Sequence, residues 1–273
     1  MILESNIAIS SRFAHTVAIA ASCAIATFAT AAASAASTFY GPLPYLCSDD
    51  SPFNLCQAGS NGYLETFEDG ALNVPGVTAS TGSVTGPGGI TDSVDCDDGA
   101  IDGKGQQGHS FFMVPGSTGI KFTFSAAVLG GLPTFAGIVW TDGGAFNTVT
   151  FEAFGPGNVS LGVIIAPNVG DGAFNSMTAE DRFFGVSDPG GISAISIKSV
   201  PSGGGSGLEV DHLQYGFAPT CLGDLNADGT IDGADIGLLL AQWGAPGSGD
   251  LNCDGIVDGA DVGLLLAGFG SCG

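Results

Sequence analysis

A tandem repeat near the end of the chain limits its fold more than any other sequence feature. From Gly223 the chain reads Gly-Asp-Leu-Asn-Ala-Asp-Gly-Thr-Ile-Asp-Gly-Ala-Asp, and from Gly249 it reads Gly-Asp-Leu-Asn-Cys-Asp-Gly-Ile-Val-Asp-Gly-Ala-Asp. Each copy runs on through one β-branched residue into Gly-Leu-Leu-Leu-Ala. Oxygen-bearing side chains fall at alternate places of a curling loop, with glycine where the chain must turn sharply. A hard cation that prefers many oxygen ligands needs this spacing.

The first candidate ligand set is Asp224, Asn226, Asp228, Asp232 and Asp235, with Gly229 at the turn and the carbonyl of Thr230 between them. The second is Asp250, Asn252, Asp254, Asp258 and Asp261, with Gly255 at the turn and the carbonyl of Ile256. Each set gathers four carboxylates with no Lys or Arg nearby, and uncompensated they would repel one another and oppose folding. The expected cofactor is therefore Ca2+, two ions in this segment. A helix is expected to leave each loop, over 234–243 and 260–269. Ile236, Leu239, Leu240 and Trp243 share one side of the first, and Val262, Leu265, Leu266 and Phe269 match them on the second. The two stripes are expected to bury against each other, so that metal and packing fold the segment together.

These loops differ from an EF-hand in ending on Asp rather than Glu and in having no helix before them, since Pro219 and Pro246-Gly247-Ser248 lie there. Two calcium loop-helix repeats of this length resemble the type I dockerin repeat, and the resemblance covers about a fifth of the chain. It implies a small all-α, EF-hand-like module over 218–273. It also implies docking onto a cohesin-like domain or cell-surface scaffold, in polysaccharide degradation or surface attachment. The family recognises its partner through polar or basic residues at loop positions 10 and 11. Here Gly233-Ala234 and Gly259-Ala260 stand there.

Upstream, composition points to strands. The chain has 46 Gly among 273 residues, 44% hydrophobic content and 12% charge, which suits short strands and tight turns. Strand signals fall at 63–67, 110–114, 120–125, 137–141, 148–154, 160–166, 182–187, 192–199 and 208–215. Several alternate, as in Lys121-Phe122-Thr123-Phe124, where one face would be buried and the other wet. The expected fold class is mainly β: an antiparallel jelly-roll-like sandwich over 63–217, after a Pro- and Cys-bearing lead-in over 36–62.

Arg12 and His15 precede an uncharged, Ala-rich run over 16–33, and Ala33-Ser34-Ala35 offers a cleavage site, so residues 1–35 read as an export signal. No later segment is long and apolar enough to span a membrane, and the expected location is secreted or cell-surface. Export leaves six cysteines, an even number that favours disulfides in an oxidising compartment. Cys47 with Cys56 is a local candidate across a turn, and Cys221 with Cys272 would staple the ends of the C-terminal segment.

A net charge of -22, with five basic residues against 27 acidic ones, excludes nucleic acid as a partner. Catalysis has little to draw on. Only His109 and His212 follow the signal, and neither H-E-x-x-H nor G-x-S-x-G occurs. A glycosidase needs just two carboxylates, for which Glu152 with Glu180 or Glu209 are available, although each also suits a solvent-facing charge.

Phe67-Glu68-Asp69-Gly70, Phe183-Phe184-Gly185-Val186 and Val210-Asp211-His212-Leu213-Gln214-Tyr215-Gly216 resemble β-sandwich domains of exported bacterial surface proteins. Related carbohydrate-binding jelly rolls hold a structural calcium between first- and last-strand carboxylates, which nominates Glu68 and Asp211 for one further ion. The alternative is two exposed strand-end carboxylates. Asp92, Asp95, Asp97, Asp98 and Asp102 form a second acidic group in a Gly-rich stretch, readable as a cation site or, by its irregular spacing, as a solvated loop. The function expected from all this is a secreted, non-catalytic, calcium-binding interaction protein. The alternative is a carbohydrate-binding accessory module or glycoside hydrolase of a polysaccharide-degrading system.

Overall fold

The structure is a computed structural model describing residues 36–53, 55, 62–113, 119–143, 147–170, 175–200, 207–218 and 221–272. The expected signal over 1–35 and Cys56 lie outside the described residues.

Twelve strands form the larger part: β1 (Thr38–Pro44), β2 (Tyr63–Glu65), β3 (Val77–Ala79), β4 (Ser83–Thr85), β5 (Ser110–Met113), β6 (Ile120–Phe124), β7 (Phe135–Asp142), β8 (Asn147–Phe154), β9 (Ser160–Val169), β10 (Arg182–Ser187), β11 (Ala194–Val200) and β12 (Leu208–Gly216). One short helix, α1 (Ala126–Leu129), interrupts them. Each of the nine expected strands is present, and all pairings are antiparallel. One sheet runs β1-β10-β7-β12-β5-β4, with β2 also on β12, and the other runs β3-β6-β11-β8-β9.

Side chains from both sheets meet in one core that includes Phe111, Phe122, Trp140, Phe151 and Phe184. In the five-stranded sheet the alternation holds as expected. Ile120, Phe122 and Phe124 of β6 are buried, while Lys121 and Thr123 between them are not. Its edge strand β9 leaves Ile165 67% exposed.

The seven-stranded sheet departs from this pattern, for every residue of β7 and of β12 is buried. Its second face is covered rather than wet. Tyr45 and Phe53, from the stretch after β1, pack with Val94, Phe135, Val139 and Phe183 into a separate apolar cluster. The covering layer is itself stapled. Cys47 is bonded to Cys96, not to the nearer Cys56, because the lead-in segment and the 86–109 loop lie side by side over the sheet. Closing a loop of that length restricts the unfolded chain by roughly 4 kcal/mol.

The lead-in segment contributes β1 to this sheet despite Pro42 and Pro44. As an edge strand it pairs with β10 alone, so an imino nitrogen facing away costs no ladder bond. Among the described residues, no helix is long and apolar enough to cross a membrane.

Candidate functional site

The C-terminal segment holds two loops, two helices and a minimal strand pair. The helices are α2 (Gly233–Leu240) and α3 (Gly259–Ala267), and β13 (Thr230–Ile231) pairs with β14 (Gly270–Ser271). The segment is thus not purely helical. Cys221 is bonded to Cys272 as expected, and Cys253 is also disulfide-bonded.

The two loops share one set of hydrogen bonds, to which the second adds Cys253 N donating to Asp250 Oδ1 (2.8 Å). In the first, Asp224 accepts the amides of Asp228 (3.1 Å) and Gly229 (2.9 Å), Asn226 Oδ1 accepts that of Asp228 (2.9 Å), and Asp228 Oδ1 accepts that of Thr230 (2.9 Å). In the second, Asp250 accepts those of Asp254 (3.2 Å) and Gly255 (2.9 Å), Asn252 Oδ1 that of Asp254 (3.2 Å), and Asp254 Oδ1 that of Ile256 (3.0 Å). The turns use the left-handed backbone that glycine adopts without strain, φ 86° at Gly229 and 89° at Gly255.

The carboxylates at the last ligand position are fully buried and close each loop. Asp235 Oδ1 accepts Leu225 N (2.8 Å) and Asn226 N (3.2 Å), and its Oδ2 accepts Asp232 N (2.8 Å). Asp261 does the same for Leu251 N (2.7 Å), Asn252 N (3.1 Å) and Asp258 N (2.7 Å). Asp232 and Asp258 in turn cap the helices through the amides of Ala234 and Ala260, both at 2.7 Å. Burial pushes the Asp235 carboxyl up, but the amides of Asp232, Asn226 and Leu225 outweigh it and hold it below the usual carboxylate range. The side-chain donor set is all hard oxygen, and the segment contains no Lys or Arg to neutralise it, so the residues suit Ca2+ in number and kind.

The apolar stripes behave differently from the expectation. Leu239 and Leu265 are fully buried, whereas Leu240 and Leu266 are each 51% exposed, Trp243 is 53% exposed and Phe269 is 54% exposed. Regular helix stops at Leu240 and Ala267, and the facing surface is narrow, so one row per helix suffices. The rest of this core comes from inside and beside the loops, from Ile231, Val257 and Leu251. An apolar residue just before the third Asp of each loop, Ile231 and Val257, was the available signal for it.

In the sheet region, Glu68 and Asp211 sit in different hydrogen-bond networks. Glu68 Oε1 accepts His109 N, and its Oε2 lies 3.3 Å from His109 Nδ1. Asp211, on β12, accepts Val94 N (2.9 Å) and His212 N (2.6 Å) and is wholly buried. The acidic stretch at 92–102 is not a solvated loop throughout. Asp92 and Asp95 are buried beneath it, where Asp95 accepts the amides of Asp102 (3.2 Å), Gly103 (3.0 Å) and Lys104 (3.1 Å), while Asp102 stays exposed.

Asp97 Oδ2 lies 2.8 Å from His212 Nε2, and His212 Nδ1 lies 2.9 Å from the Tyr45 hydroxyl, which accepts Gln214 Nε2 at 2.7 Å. Gln214, Tyr45, His212 and Asp97 thus form one continuous hydrogen-bonded chain across the covered face of the sheet. Of the carboxylates considered for glycosidase chemistry, Glu152 lies on β8 in the five-stranded sheet and Glu209 on β12 in the other. Glu180 precedes β10. Burial pushes the Glu209 carboxyl up to about 7 against the opposing hydrogen bonds from Ser110 and Asp92 N.

No protein-family model matches this chain, and no curated protein matches it. Solved structures that overlap it do so loosely. The CBM22-1 and GH10 modules of Clostridium thermocellum endo-1,4-β-D-xylanase 10B, complexed with xylohexaose, align at 13% identity and TM-score 0.30, over 65% of this chain and 35% of that one. The catalytic domain of a GH87 α-1,3-glucanase aligns at 16% and 0.30, over 67% and 34%. Tailspike protein 4 of bacteriophage CBA120 aligns at 16% and 0.27, over 65% and 22%. The chain spans about a third or less of each, and likeness at this level assigns it neither a family nor an activity.

Proposed function

We propose that this is a secreted, non-catalytic, calcium-binding interaction protein: a jelly-roll-like β-sandwich carrying a dockerin-like module that docks it to a cohesin-like or surface partner. The observation that carries this reading is the duplicated loop. Two ligand sets recur in register, each with the same amide scaffold and a buried carboxylate at its last position. Calcium bound in each loop would neutralise four carboxylates and fix the angle at which the helix leaves.

The docking surface is the exposed apolar row of the helices and the turns after them. Leu240 with Trp243 and Leu266 with Phe269 stand at equivalent places of the two repeats and are half exposed. Large apolar side chains left exposed in pairs on a charged chain suit a partner site, and aromatic residues are the commonest hot spots in such interfaces. Where the dockerin resemblance implies polar or basic recognition residues, this module offers apolar ones, so the partner face is apolar too. The Cys47–Cys96 and Cys221–Cys272 disulfides fit an oxidising compartment.

Retention of the exported chain on isolated cell envelope or on a cohesin-type domain tests this. Calcium is expected to support retention, and Trp243→Ala combined with Phe269→Ala to weaken it about 30-fold or more. Both residues are half exposed, so the double variant keeps its fold. Retention unchanged by chelator and by the double variant would remove the docking role.

A further inference from the structure

Asp181 stands immediately before β10, on the side of the seven-stranded sheet covered by the 86–109 loop. Its relative exposure is 0%, and neither carboxylate oxygen has a hydrogen-bond partner among the described residues. The hydroxyls of Ser176 and Thr178, a few residues earlier, are buried and equally without partners. Arg182, the adjacent basic side chain, does not reach the carboxylate, since its Nη1 donates to the backbone carbonyls of Ala179 (3.1 Å) and Asp181 (2.7 Å). An ionised carboxylate in such surroundings costs several kcal/mol, and a protonated one would still leave its O–H unmet.

The neighbours deepen the problem. Burial first, and then the carboxylates of Asp92, Asp211, Glu180 and Asp95, hold the Asp181 carboxyl well above its ordinary range. Asp211 is raised by burial and by Asp97 against its two amide hydrogen bonds. Asp95 is committed to three loop amides. Asp211 accepts one amide at each oxygen, which leaves a lone pair free on both. A hard cation held between Asp181 and Asp211 would engage the unpartnered oxygens of the first and the free lone pairs of the second, whereas a hydrogen-bond donor would satisfy one oxygen.

We propose that this buried pocket is a calcium-class cation site, with Asp181 and Asp211 as its charged ligands, Asp92 beside them and the Ser176 and Thr178 hydroxyls completing an all-oxygen shell. It is distinct from the C-terminal loops and does not depend on them. The ion ties together the loop that covers the sheet, the stretch before β10 and the centre of β12, three parts that are far apart in sequence. Its role is structural, replacing Coulomb repulsion with a cross-link between separate stretches of the chain.

The test uses the exported chain with both C-terminal loops disabled by Asp224→Ala, Asp228→Ala, Asp250→Ala and Asp254→Ala, and calcium alone as the probe. Equilibrated with calcium and desalted, this chain is expected to retain one ion. Its strand-signal melting temperature should rise by about 5 °C or more at calcium about 100-fold above Kd. Adding Asp181→Asn, which keeps the shape and removes the charge, should abolish both the ion and the shift while leaving the melting temperature in chelator unchanged or higher. A loop-disabled chain that holds no ion and shows no shift overturns the site, as does an Asp181→Asn chain that keeps both. Were Asp181→Asn to misfold, the ion content of the loop-disabled chain decides alone. Failure of the C-terminal loops would appear separately, in the helix signal of the unaltered chain.

Discussion

Alanine at both Asp235 and Asp261 is expected to unfold the C-terminal segment while the sheets stay intact. Each carboxylate is fully buried and accepts three backbone amides, two from the start of its own loop and one from the residue that caps its helix. Hydrogen bonds to a charged acceptor contribute about 1.5–3 kcal/mol each, and their loss leaves the amides without their partner. The penalty at each site is on the order of 5 kcal/mol or more, which a core of five buried aliphatic residues cannot offset. Far-UV circular dichroism checks it: the helix signal should vanish and the strand signal remain. Retention of full helix content in the double variant would mean that packing alone holds the segment.

Phe183→Ala is the substitution expected to damage the sheet region most, by about 3–5 kcal/mol in chemical denaturation. The ring lies on the covered face of the seven-stranded sheet, stacked on Tyr45 at 5.9 Å and edge-on to Phe53 at 5.5 Å. Its ring extends over two glycines, Gly185 of its own strand and Gly137 of β7. A Cβ on Gly137 would come within 2.3 Å of the ring and one on Gly185 within 2.7 Å, so the sheet beneath the ring offers no side chain to fill the cavity. Gly41 lies against the same residue from β1, its Cβ position 2.3 Å from the Phe183 carbonyl oxygen at φ 111°. A loss below about 1 kcal/mol would show that the covering layer collapses onto the gap, contrary to the close packing described.

These residues also show where the sequence stops being legible. The five-stranded sheet alternates cleanly, and Lys121 and Thr123 announce its outer face. The seven-stranded sheet carries the same kind of alternation in Glu209-Val210-Asp211, which reads as one wet face. In the structure that face lies under a loop and a lead-in segment stapled by Cys47 and Cys96. Periodicity reports polarity rather than what folds on top of it, so Asp211, His212 and Gln214 pass for surface residues. The strands β3 and β4 have three residues each, too few to alternate, and the prolines of β1 argued against a strand that only an edge position permits.

The C-terminal loops and their shared amide scaffold are legible because the Asp and Asn spacing, turn glycine and helix cap occupy one short stretch and then repeat. The burial of Asp92, Asp181 and Asp211 is not, since they come from three separate stretches and only tertiary packing brings them together. Even within the repeat the sequence misplaced part of the core. A stripe at helical spacing shows which residues share a side, but not how wide the opposing surface is, and Trp243 and Phe269 are left half exposed.

The central claim is that the duplicated loops bind calcium and that binding folds the segment around them. Calorimetric titration of the chelator-treated exported chain, with circular dichroism recorded alongside, tests it most directly when repeated on the chain with Asp224, Asp228, Asp250 and Asp254 changed to Ala. The account predicts that the unaltered chain binds two more ions than the altered one and gains helix as they bind; equal stoichiometry in the two chains, with no gain of helix, would contradict it.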